Sequence, residues 1–336
     1  MSEKRAAQDA RAGTGGGARS MLSDLFSPST FGPLLALIVA SAFFAFQSDQ
    51  FLTGRNFSLI FQQVMVVGTL AIGQTMIILV AGIDLSCGAI MAFGSVFMAK
   101  MAVDVGVNPV LAVLLGLGVC TAFGLANGLL VTRLNLPPFI VTLGMLNIGF
   151  ALTSIYSENQ TIVGLPPFLT FFGETFMVGE TAISYGTILT LGLFFLVWFI
   201  LRQTAAGYHL YATGNNLEAA RLTGINVKRL LLVVYGSAGL IYGIAAWLLI
   251  ARTGVGDPQA GQTDNLDSIT AVVLGGTSLF GGRGSVLGTL MGALIVGVFR
   301  NGLQLMGVAS VYQVLITGIL VILAVSVDQI ARRRAA

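Results

Sequence analysis

Ten stretches of nearly unbroken apolar residues run through the chain, and they leave few folds open to it. They fall at roughly 31–48, 58–81, 85–103, 109–132, 138–156, 184–201, 230–251, 269–281, 284–303 and 310–328. A helix rises about 1.5 Å per residue, so about 20 apolar residues cross the roughly 30 Å hydrocarbon core of a bilayer. Strands of a membrane barrel would alternate apolar and polar residues over about ten positions, and no such alternation is present. Composition agrees, since 55% of the 336 residues are hydrophobic and 9% charged, outside the range of soluble domains. The expected fold class is an all-α polytopic membrane protein of about ten transmembrane helices, with the membrane domain over 31–330. The eighth run is too short to cross alone; it is expected to begin earlier or to be a broken helix packed against protein.

Charge sets an orientation. With the N-terminus in the cytoplasm and spans alternating, only Arg55, Lys100, Arg252 and Arg300 of the 17 basic residues fall on the outer side. The other thirteen fall inside, as positive-inside topology requires. Both termini are then cytoplasmic: a Gly/Ala/Ser/Arg-rich tail over 1–30, expected to be disordered, and a basic end over 331–336. The outer loops are acidic, with Glu158, Glu174 and Glu180 in one and Asp257, Asp264 and Asp267 in another. They solvate the span ends or offer a docking surface to an external partner.

Several chemistries are excluded. The one histidine, His209, lies in a polar loop, so neither a His-based metal cluster nor a catalytic triad is available. No metal or cofactor is expected. The cysteines, Cys87 and Cys120, both sit in apolar runs and read as small packing residues. None of the three lysines follows a Gly-x-x-x-x-Gly pattern, so the chain carries no phosphate-binding loop and is no ATPase itself.

The longest hydrophilic interruption between two spans is 202–229, on the cytoplasmic side. Within it the spacing predicts a short helix, LEAARLT. Asn215 caps its start, Glu218 three residues on completes a capping box, and Gly224 stops it in a left-handed conformation. About two turns are marginal in water, so the helix is either a connector lying on the bilayer surface or a seat for a partner lying over it.

Two glycine-rich turns interrupt apolar runs with almost no loop. The first, at 81–88, contains Gly82, Asp84 and Ser86, and either polar residue is expected to cap the helix that follows. The second, at 274–288, contains Gly275, Gly276, Gly281, Gly282 and Arg283. One break in each half points to an internal repeat of inverted topology with a pathway between the halves. Gly284, Gly288 and Gly292, and the pairs Gly124/Gly128 and Gly239/Gly243, have the small-xxx-small spacing that lets helix backbones approach.

GIDLSCG at 82–88, NLPPFIVTLGML at 135–146, GNNLEAARLTGINV at 214–227 and the long motif at 266–297 resemble the membrane permease of bacterial ribose-type sugar ABC importers. The likeness covers about 35–330; Cys87 departs from it, standing where a small aliphatic residue is usual. It implies a vitamin-B12-importer-like permease fold in the bacterial inner membrane, paired with a second copy of itself. Its implied partners are a cytoplasmic ATP-binding cassette ATPase and a periplasmic sugar-binding protein, with no nucleic acid. It also implies that the helix bearing Glu218, Ala219, Ala220 and Arg221, bounded by Asn215 and Gly224, is the coupling helix seated in the ATPase.

Few ionisable groups fall in the spans, which suits an uncharged polar cargo. Polar side chains on the spans, Gln62, Gln63, Gln74, Asn127, Asn147, Asn301, Gln304 and Tyr235, are candidates for the cargo path or for interhelical hydrogen bonds. Two other readings stay open: an ion-coupled secondary transporter, whose signature would be a buried carboxylate, and an ABC permease for another small metabolite.

Overall fold

A computed structural model describes residues 28–319, with 322 and 326. The predicted tail up to residue 27 and the basic C-terminus lie outside the described residues. The helices are α1 (Pro28–Gln47), α2 (Gly54–Leu79), α3 (Cys87–Val103), α4 (Pro109–Arg133), α5 (Pro138–Ser157) and a single turn, α6 (Pro167–Thr170). Then come α7 (Tyr185–Gln203), α8 (Ala205–Asn215), α9 (Leu217–Leu222), α10 (Val227–Thr253), α11 (Asp264–Leu274), α12 (Val286–Leu305) and α13 (Ser310–Ile319).

Six of these, α2, α4, α5, α7, α10 and α12, are long and apolar enough to cross a membrane by length and composition. Helices α3 and α13, and the Gly32–Gln47 stretch of α1, are apolar but shorter. The eighth apolar run does begin earlier, at Asp264, as an 11-residue helix buried along most of its length. At about 1.5 Å per residue it reaches only about half way through a hydrocarbon core.

Helix α2 is the axis of the bundle, packed against α10, α12, α11 and α7. Its fully buried residues include Leu70, Ile72, Ile77 and Leu79, and α10 adds Tyr235 and Tyr242. The stripes of small residues act as the spacing predicted. A Cβ on Gly124 of α4 would meet the α10 backbone at Gly239, and one on Gly239 would meet Gly124. Backbones this close leave no room for a methyl group, so packing is dense although both partners are apolar. Helices α4, α5 and α7 keep most of their apolar surface outward, with Leu114, Ile148 and Phe195 exposed.

The 157–183 interval, read from sequence only as an acidic loop, holds part of a β-hairpin. Strands β1 (Thr175–Val178) and β2 (Thr181–Ser184) pair antiparallel, with Thr175 opposite Ser184. Gly179 at the turn has φ +62°, the positive φ a two-residue hairpin turn needs. The hairpin is fastened to the start of α2, where Ser58 Oγ accepts from the Ala182 amide at 2.8 Å.

Candidate functional site at the helix breaks

The polar segment 202–229 contains two helices rather than one. Thr204 caps α8, its Oγ1 accepting from the Gly207 amide, and α8 continues to Asn215. Asn215 is therefore the end of one helix and not the cap of the next. That role belongs to Asn216, whose Oδ1 accepts from the Ala219 amide at 2.9 Å. The shift of one residue removes the expected capping box, and Glu218 pairs instead with Arg221 at 3.1 Å. Both partners are about two-thirds exposed, so the pair adds little stability. Gly224 has φ +89° and ends α9. Ala220 is buried, with its side chain against its own chain. Leu222, 80% exposed, and Leu217 point outward instead; two leucines in a solvent-facing helix were the signal for this.

The end of α8 touches both breaks. The two breaks are bonded to each other, since the Gly282 amide donates to the Leu79 carbonyl at 2.9 Å. Gly214 lies against that bond: a Cβ there would overlap the Leu79 oxygen and come within 2.7 Å of the Gly282 nitrogen. Tyr211, one turn earlier, donates its hydroxyl to the Gly284 carbonyl at 2.9 Å. Gly276, Gly281 and Gly282 all have positive φ, as does Ala81, at +61°. A non-glycine residue is uncommon in that conformation and is held there by its surroundings.

Above this junction the first break carries buried polar groups. Asp84, 1% exposed, accepts at Oδ1 from the Ser86 amide at 2.8 Å and from the Ser86 hydroxyl. Asn127 donates to Ser86 Oγ at 2.9 Å, and Tyr242 donates to Gln74 at 3.2 Å. Gln74 Nε2, Asp84 Oδ2, Asn127 Oδ1 and the Tyr235 hydroxyl have no hydrogen-bond partner among the described residues. The expectation that Asp84 or Ser86 caps α3 is corrected here. Ser86 occupies the cap position, but its backbone is α-helical and its side chain makes no cap bond, because the hydroxyl is turned to Asp84 and Asn127.

The profile of the family described as "Branched-chain amino acid transport system / permease component" matches residues 56–325. The chain belongs to this permease family. It is 47% identical over 310 residues to the fructose import permease protein FrcC of Rhizobium meliloti, covering 90% of this chain and 86% of the relative. It is 40% identical to the ribose import permease protein RbsC of Bacillus subtilis (strain 168), over 89% and 92% of the two chains. It is 37% identical to the D-allose transport system permease protein AlsC of Escherichia coli (strain K12), over 88% and 90%. No solved structure matches.

The permease's candidate path residues do not form one group. Asn127 and Gln74 belong to the buried polar cluster around Asp84. Asn301 donates to Asn56 at 2.8 Å in the core. Gln63 donates to Gln304 at 3.3 Å near the opposite end of α2 from the junction. Gln62 is half-buried, and Asn147 is exposed and donates to the Leu143 carbonyl of its own helix. Two of the acids expected in an outer loop lie in the first turn of α11 and are not free: Arg300 lies 3.0 Å from Asp267 and 3.7 Å from Asp264.

Proposed function

We propose that the chain is the membrane subunit of an ATP-driven importer that moves a monosaccharide or similar neutral polyol from the periplasm to the cytoplasm. The observation that carries this is a likeness, over nearly the whole chain, to import permeases named for fructose, ribose and allose. ATP is hydrolysed by a separate cassette subunit, since the sequence holds no phosphate-binding loop. In this reading the loop 202–229 faces the cytoplasm and presents Leu217 and Leu222 of α9 to that ATPase. A displacement there reaches the helix breaks through α8. A periplasmic sugar-binding protein delivers cargo to the other side.

The finer architecture belongs to the same proposal: about ten crossings, a vitamin-B12-importer-like arrangement with an inverted repeat, and both termini in the cytoplasm. The distribution of lysine and arginine supports the orientation. The outward apolar faces of α4, α5 and α7 leave room for a second copy as well as for lipid. The test is uptake of labelled D-fructose, D-ribose and D-allose into vesicles holding permease and ATPase, with binding protein outside. Accumulation that needs internal ATP and binding protein is expected; accumulation without ATP would refute the reading.

One observation favours a second reading. Asp84 is a fully buried carboxylate with an unpartnered oxygen, the feature sought for an ion-coupled carrier. A protonophore applied at constant ATP separates the two, abolishing uptake only in the ion-coupled case.

A further inference from the structure

Beside the hairpin the flank of the bundle opens into a cavity of about 320 Å³, within the size range of small-molecule sites. The hairpin contributes Phe176, Val178 and Ile183 to its wall, and α12 contributes Leu290 and Leu294. Val64 and Met65 of α2, both buried, close it toward the axis of the bundle.

This wall has nothing to offer a polar ligand. No charged side chain lines it, and its only polar side chains are Thr187 and Thr190. Both hydroxyls are engaged nearby. Thr190 Oγ1 donates to the Met65 carbonyl at 3.1 Å, and Thr187 shares a hydrogen bond of 2.9 Å with the Ser184 hydroxyl. A sugar or a peptide placed here would leave its own polar groups unpaired. Apolar walls left without neighbours forfeit dispersion contacts, so the material that suits them is hydrocarbon.

The mouth of the cavity faces a source of it. Val178, Ile188 and Leu191 line the cavity and are each about half exposed, so the opening lies between the hairpin and α7. Leu191 stands six residues past the start of α7, about 9 Å along a helix long and apolar enough to cross a membrane. Phe195 and Phe199, at helical spacing beyond it, are exposed and continue the same outward face. The chain is a membrane permease, so the hydrocarbon beside this face is lipid.

We propose that an acyl chain of a membrane phospholipid enters between α7 and the hairpin and occupies this cavity, reaching α12. The assignment needs only that the chain lies in a bilayer, and it stands apart from the choice of cargo. An acyl chain held there packs the hairpin against α12, the helix that follows the second break. The seating of the hairpin then depends on the lipid present.

The experiment uses the full-length permease in vesicles of a phospholipid brominated on its acyl chains, which quench tryptophan on contact, against vesicles of the same lipid without bromine. Fluorescence is read as the change over the parent, whose Trp198 and Trp247 are kept in every variant. Phe61→Trp and Phe176→Trp each replace one ring in the cavity wall by another, and Phe195→Trp is the reference on the open face. The two wall positions come from different elements, so failure of one variant to fold leaves the other to decide. Both are expected to be quenched nearly as strongly as Phe195→Trp. Leu191→Phe combined with Leu294→Phe fills the cavity from α7 and α12. It is expected to lower quenching at the wall positions several-fold and to leave Phe195→Trp largely unchanged. Weak quenching at the wall positions in the unfilled cavity would overturn the assignment, and so would quenching there that filling does not reduce. A disulfide between copies at Ile188→Cys, in a chain lacking Cys87 and Cys120, would overturn it as well, by placing a second copy over the mouth.

Discussion

Gly214→Ala tests the contact between the 202–229 loop and the two breaks with a single methyl group. Gly214 is helical with an ordinary φ, so alanine brings no backbone strain and by propensity alone should stabilise α8 by up to about 1 kcal/mol. Against that, the new Cβ would overlap the Leu79 carbonyl oxygen and press on the Gly282 nitrogen. These are backbone atoms and cannot rotate away. Either α8 is displaced, at the cost of about 1–3 kcal/mol typical of overpacking, or the Gly282–Leu79 hydrogen bond breaks. Breaking it would leave a buried amide and a buried carbonyl unpaired, each at about 1–3 kcal/mol. The expected net effect is destabilisation of about 1–3 kcal/mol at this junction. In vesicles with ATPase and binding protein, uptake per ATP should fall several-fold, and thermal stability in detergent should drop by a few degrees. Gly118→Ala is the control, because nothing lies within 4 Å of the Cβ it would add; it should match the parent or exceed it slightly. If Gly214→Ala behaves like Gly118→Ala in both measurements, the loop does not act on the breaks through this contact.

Three further expectations follow from the same geometry. Gly224→Val places a β-branched residue at φ +89°, a strain of about 1–3 kcal/mol. Uptake and stimulated ATP hydrolysis should both be lost while the permease still inserts, and normal values for both would remove α9 from the coupling path. Asp84→Asn keeps the Oδ1 acceptor for Ser86, so it should retain a large fraction of parent uptake, whereas Asp84→Leu should misfold or fail; a folded but inactive Asn variant would instead point to ion coupling. Single cysteines at Asn215 and Gln262, in a chain lacking Cys87 and Cys120, should react with an impermeant thiol reagent only from the cytoplasm and only from outside, respectively. Reaction of both from one face would undo the proposed orientation.

The helices and the breaks were legible because their signals are local. Apolar runs show as composition, and Gly224, Gly281 and Gly282 stand where the backbone turns left-handed. The β-hairpin had a readable signal too: Thr, Phe and Val flanking a Gly-Glu turn at 179–180. What stayed hidden is what sequence neighbours do not determine. Asn215 and Asn216 are chemically identical as caps, and the choice is made by where α8 stops against Leu79 and Gly282. Asp84 belongs by local chemistry at a helix start near water; its full burial depends on Ser86, Asn127 and the tyrosines of α10, which come from distant parts of the chain. The pairing of Arg300 with Asp264 and Asp267 depends in the same way on α11 and α12 converging.

The hairpin on α2 gives that helix a mechanical character. Helix α2 has 26 residues and no proline, an unbroken rod of about 39 Å at about 1.5 Å per residue. Its first turn is clamped by the hairpin, through Ser58 and the close fit of Gly54 against the Glu180 carbonyl. Its last residue, Leu79, holds the amide that joins the breaks. A load on the hairpin would therefore find no hinge within α2 in which to dissipate. It would arrive at the far end as translation or rotation of one carbonyl, at the place where the 202–229 loop also packs. Helix α2 is thus a stiff rod, clamped near its start by the hairpin and bonded at its last residue to the second break.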